Sequence, residues 1–105
     1  MDEIGQTLKE LWLSYNKIDK LDGLGSCVKL EIFFISNNLI KSWDEVSKLA
    51  QLPALKDVLL WGNPVYSTMS KEEAKPYVVK RLKDIQIVDG KMIDDMIRKK
   101  AEELQ

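Results

Sequence analysis

Apolar residues alternate with outward-facing positions in three short stretches of the chain: Leu11 and Leu13, Phe33 and Ile35, Val58 and Leu60. A period of two sends one set of side chains inward and their neighbours outward, which predicts three short strands. Between the strands the period changes to three. Ile18, Leu21 and Leu24 suit a tight 3₁₀-like return. Ser42 with Glu45 forms a capping box in front of Trp43, Val46, Leu49 and Leu52, which predicts a short helix ending before Pro53. Ser70 with Glu73 predicts a second helix reaching Leu82, kinked or restarted at Pro76. Ile93, Ile97 and Ala101 share one face of a last helix over about 91–103, with Arg98, Lys99 and Lys100 beside that face.

The strands belong to a repeat. Leu8 to Ile18, Leu30 to Ile40 and Leu55 to Val65 each fit L-x-x-L-x-L-x-x-N-x-L with apolar exchanges only. A fourth, imperfect copy runs from Leu82 to the turn at Asp89 and Gly90; successive starts lie 22, 25 and 27 residues apart. This is the signature of a leucine-rich repeat. The fold class is therefore α/β: a solenoid with a short curved parallel sheet of about four strands, helices and 3₁₀ turns on the convex side, and a C-terminal capping helix. One domain is expected over 1–105, with repeats at about 8–29, 30–54 and 55–81, a terminal cap repeat at 82–90 and the helix at 91–103. Asn16, Asn38 and Asn63 recur where the chain leaves the sheet. Their amides are expected to form a structural ladder on backbone groups that turn away from strand pairing.

The outward positions form three rows across the four strands. Glu10, Ile32, Asp57 and Asp84 make the first; Trp12, Phe34, Leu59 and Gln86 the second; Ser14, Ser36, Trp61 and Val88 the third. Aromatic side chains cover about 150 to 250 Å² each, so this concave face exposes several hundred Å² of apolar surface, a size that marks interaction sites. Tryptophan and phenylalanine are anchors of protein interfaces. The protein-binding residues expected here are Glu10, Trp12, Ile32, Phe34, Asp57, Leu59 and Trp61. The acidic row favours a partner with basic residues and opposes nucleic acid, whose phosphates would meet Glu10, Asp57 and Asp84.

Composition narrows the function further. The chain of 105 residues is 45% hydrophobic and 31% charged, with a formal charge of -1, so no global field draws it to nucleic acid or an anionic membrane. No stretch approaches the ~20 apolar residues of a membrane helix. Histidine is absent, which removes the commonest general base and transition-metal ligand. No catalytic constellation, cofactor site or metal site is expected, and Asp94 with Asp95 fits the N-terminus of a helix rather than a metal. The single Cys27 is expected to be a buried small hydrophobe in a reducing compartment such as cytosol. From the residues alone, Arg98, Lys99 and Lys100 form a solvated charged face.

Particular strings go beyond the generic repeat. Glu10-Leu11-Trp12-Leu13-Ser14-Tyr15-Asn16, Ile35-Ser36-Asn37-Asn38-Leu39-Ile40-Lys41-Ser42-Trp43, Lys48-Leu49-Ala50, Gly62-Asn63-Pro64 and Val78-Val79-Lys80-Arg81-Leu82 with Asp89-Gly90 resemble the leucine-rich repeat light chains of axonemal outer-arm dynein. That resemblance, over about residues 8 to 98, implies a non-catalytic subunit in a cilium or flagellum. It would bind a dynein heavy chain at its motor or microtubule-binding region through the concave face, with tubulin as a further partner, and so tune motility. It also implies a role for Arg98, which matches an arginine of the family's C-terminal helix. Trp61 is larger than the family residue. Lys91 and Met92 follow Gly90 where the family's last helix has a proline-containing start. Family members carry further repeats before the one starting here at Leu8; without them the first strand has a free edge open to self-association. A generic adaptor, such as a phosphatase-regulator-like scaffold, would use the same face.

Overall fold

The computed structural model describes residues 7–104. Three strands, β1 (Glu10–Trp12), β2 (Ile32–Phe34) and β3 (Asp57–Leu59), lie side by side and parallel, followed by β4 (Ile87–Val88), parallel to β3. The short β5 (Lys91–Met92) runs antiparallel to β4 and completes a five-stranded sheet in sequence order. Leu11, Phe33, Val58 and Val88 share one rung of the sheet. Phe33, Val58 and Val88 are fully buried, together with Leu30, Ile35, Leu60 and Ile85. Leu8, Leu11 and Leu13 pack against this core but are only partly buried. The period of two thus sets the inner face, as expected.

Each of the first three strands leaves the sheet through a residue in the left-handed region: Tyr15 (φ 61°), Asn37 (φ 55°) and Gly62 (φ 89°). Such a bend points backbone groups away from strand pairing, and the asparagine that follows collects them. Asn38 Nδ2 donates to the carbonyls of Leu13, Ile35 and Ser36, while its Oδ1 accepts from Ile18 N. Asn63 Nδ2 donates to Ile35 O and Leu60 O, and its Oδ1 accepts from Asn38 N and Ile40 N. Each of these two amides therefore ties its own repeat to the one before. Asn16 is exposed and donates only to Leu13 O and Ser14 O of its own repeat. Glycine is required at 62, because a Cβ there would stand 2.3 Å from Asn37 Oδ1 and the left-handed backbone disfavours it further. Gly62→Ala should lower the unfolding free energy by about 2 kcal/mol, read as a lower urea midpoint at unchanged slope.

The returns on the convex side seal the core. Leu21, Leu24 and Cys27 are buried on the first return, so Cys27 is the small core hydrophobe expected. The second carries α1 (Trp43–Ser47), continued by a 3₁₀ turn at Lys48–Gln51. Ser42 accepts from Glu45 N, but the Glu45 carboxylate turns instead to Leu21 N and Lys48 Nζ, so half of the expected capping box forms. The third return holds α2 (Lys71–Arg81) behind a complete box of Ser70 and Glu73. This helix runs unbroken through Pro76, so it does not restart there. The N–H that proline lacks would have faced the carbonyl of Glu72, an exposed first-turn residue that water can reach.

The fourth strand corrects the expected rows. Ile87 pairs with Asp57 and Val88 with Val58, so Ile85 takes the place of Leu30 and Leu55. Leu82 takes that of Leu52: Ile85 N donates to Leu82 O as Leu55 N donates to Leu52 O. Asp84 and Gln86 are exposed but leave the rows, and Val88, expected outward, is fully buried. Ile87 joins Glu10, Ile32 and Asp57 instead. Asp89 (φ 50°) and Gly90 (φ 81°) form the two-residue turn that Asp-Gly favours in hairpins, which sends Lys91 and Met92 back along β4. The last helix, α3 (Asp95–Glu103), therefore begins later than expected, capped by Asp94 on Ile97 N.

Candidate protein-binding face

The concave face is built from alternate residues of three strands. Glu10, Ile32 and Asp57 stand in one row with Ile87, and Trp12, Phe34 and Leu59 in the next. The Trp12 and Phe34 rings stack at 5.5 Å, and Trp12 remains 67% exposed. Beyond this pair, Ser36 Oγ donates to Ser14 Oγ, and Ser36 is buried. Trp61, 39% exposed, tilts against Tyr66 at 5.9 Å and lies under the Lys71 ammonium at 5.0 Å. Tyr66 is fixed in turn by its hydroxyl, which donates to Asp89 Oδ2; Asp89 Oδ1 accepts from Leu60 N and Trp61 N. Burial, and then the charge of Asp89, hold the Tyr66 hydroxyl well above its ordinary pKa, so it stays a donor. The fold thus brings together seven of the residues singled out from the sequence.

Arg98 is placed elsewhere. Its guanidinium donates to the carbonyls of Lys83 and Ile85, both at 2.8 Å, and fastens α3 to the chain entering β4. The sheet separates it from Trp12 by the width of β1 to β4. Ile87, Tyr66 and Lys71 belong to the face or its support and were not singled out. The signal for Ile87 lay in aligning Leu82 with Leu52 rather than with Leu55.

Asp57 is the electrostatic feature of the face. It is half-buried between Ile32 and Ile87, and its carboxylate has no ion-pair or hydrogen-bond partner among the described residues. Burial raises its pKa above the ordinary 3.8. A carboxyl that binds its proton more tightly in the folded chain costs stability once it ionises. The cost is absent below the unfolded pKa, grows as pH rises between the two values and is complete above the folded one. Asp57→Asn should therefore raise Tm at neutral pH and change nothing at pH well under 3.8, as scanning calorimetry at the two pH values would report.

Among the described residues, no group of three or more His, Cys, Asp or Glu could hold a metal ion, and no helix is long and apolar enough to cross a membrane. The family sequence pattern described as "Leucine Rich repeats (2 copies)" matches residues 6–48. The chain has a leucine-rich repeat fold. This repeat chain is 41% identical over 105 residues, 96% of its length, to "Dynein axonemal light chain 1" of Chlamydomonas reinhardtii, of which it spans 53%. The resemblance read from its strings is thereby found in the alignment. It is also 32% identical over 63 residues to a rat "Tubulin-specific chaperone cofactor E-like protein", covering 60% of this chain and 15% of that one. Among solved structures, it superposes with a TM-score of 0.81 on a chain of the Drosophila melanogaster SNF/U2A′ complex, at 23% identity, over 93% of this chain and 56% of the other. That likeness shows the fold. The repeat chain spans about half the length of the dynein light chain it matches.

Proposed function

We propose that this leucine-rich repeat chain is a non-catalytic, protein-binding subunit of axonemal outer-arm dynein. Its concave face binds the motor or microtubule-binding region of a heavy chain and so tunes ciliary or flagellar motility in the axoneme. The observation that carries this reading is the stack of exposed Trp12 on half-buried Phe34, with Leu59 and Trp61 on the same face. Such aromatic surface is held in water at a free-energy cost that a partner would remove. The similarity to a dynein light chain supports the choice of partner. Glu10 and Asp57 in one row of the same face argue against a phosphate backbone as ligand.

The test is calorimetric titration of the chain with the isolated microtubule-binding domain of an axonemal dynein heavy chain, its own oligomeric state being fixed first by sedimentation. A monomer that binds saturably supports the reading. A folded monomer that gives no heat overturns it and leaves the adaptor reading in its place. Concentration-dependent dimerisation would report pairing through β1, the outermost strand among the described residues. Adding tubulin to the preformed complex tests whether tubulin is a further partner.

A further inference from the structure

The reading of the concave face as the docking surface leaves open what kind of segment it receives, and the side chains on the face answer in part. Among the described residues, every strand of the face is paired to its neighbours, with β1 the outermost. A segment lying across the middle of the sheet cannot borrow backbone hydrogen bonds from it and must satisfy its own, which a helix does. Three strands at ~4.8 Å spacing offer a floor about 10 Å wide between the outer strand axes, wide enough for one helix.

The floor is chemically uneven. Asp57 stands between two isoleucines, without a cation or donor among the described residues, while the ion pairs of the described residues lie elsewhere, at Glu31, Glu45, Asp22 and Glu72. The Lys71 ammonium sits over Trp61, which lies four residues beyond Asp57, about 13 Å away at strand rise. Covering the face with a purely apolar segment would bury the carboxylate unpaired, which is costly; a cation placed on it converts that cost into a charge-assisted hydrogen bond. From Asp57 the diagonal to Phe34 is about 8 Å and that to Trp12 about 12 Å, by strand rise and spacing. Positions four and seven residues on along a helix rise about 6 and 10.5 Å.

Resting on that reading of the face, we propose that its occupant is a single amphipathic helix with an arginine or lysine seated on Asp57. Apolar residues about four and seven positions away cover Phe34 and Trp12. Asp57 is then the residue that selects the partner by charge, and the aromatic pair supplies the bulk of the affinity.

The experiment uses two synthetic, helix-stabilised peptides, identical except that one has arginine and the other glutamate at the first position, each with leucine four and seven residues on. Both are titrated by fluorescence anisotropy against the wild-type chain and against Asp57→Asn, whose folding is checked by circular dichroism. The expected result is about tenfold or greater preference for the arginine peptide in the wild type, falling to within about twofold in the variant. Equal affinities in the wild type, no binding of either peptide, or a preference that survives Asp57→Asn would each overturn the proposal. This peptide comparison is independent of the heavy-chain titration. A heavy chain that fails to bind while the preference holds would remove the dynein reading and leave Asp57 as the selector.

Discussion

Asn63→Ala should lower the free energy of unfolding by about 3 kcal/mol, whereas Asn16→Ala should change it by less than about 0.5 kcal/mol. The two residues occupy the same position of the repeat, so composition cannot separate them. Asn63 is 3% exposed and serves four backbone groups in two successive repeats: Leu60 O, Ile35 O, Asn38 N and Ile40 N. Alanine leaves all four without that partner in a place water reaches poorly, and a buried unsatisfied group costs about 1 to 3 kcal/mol. Partial relaxation around the truncated side chain keeps the sum below the total of the single costs. Asn16 serves two carbonyls of its own repeat from an exposed position, where water replaces the amide. Urea denaturation of both variants, followed by circular dichroism, measures the contrast. Similar midpoints for the two would mean that the amide ladder does not hold the repeats together.

Loss of Trp12 and Trp61 together should weaken binding of the heavy-chain domain at least a hundredfold while leaving the chain folded. Truncating an interface tryptophan at a well-packed centre costs about 2 kcal/mol or more, and about 1.4 kcal/mol is tenfold in affinity. Trp12, at 67% exposed, contributes little to the core, so its removal affects the face more than the fold. Trp61 also loses its contact with Tyr66 and the Lys71 ammonium, which together should cost about 1 kcal/mol of stability. Calorimetric titration beside a thermal melt separates the two effects. Unchanged affinity in the double variant would place the binding surface off the concave face.

The first three repeats were legible because strand, turn and amide each leave a separate mark: alternation of apolar residues, a left-handed residue, then asparagine. The inner face and seven of the residues on the outer one follow from that mark alone. The fourth repeat was not legible in the same way. Leu82 and Ile85 are both buried apolar residues three apart, so either can begin an L-x-x-L unit, and the choice rests on which return is the longer. Ile87 was missed for that reason. The Asp-Gly hairpin was visible as a dipeptide but was read as the end of the pattern, whereas it reverses the chain into one more strand. Arg98 shows the other limit: a basic residue on a helix reads as solvated or as binding, and its use of two backbone carbonyls depends on a loop distant in sequence.

The fourth repeat fastens the third. Asp89 holds the backbone of Leu60 and Trp61 and the hydroxyl of Tyr66, and Arg98 holds the loop before β4. One carboxylate therefore sets both the backbone that carries Trp61 and the ring on which Trp61 leans. The aromatic seat beside β3 is held from outside the rows, so a change at Asp89 reaches the grip of Trp61 without touching the face itself.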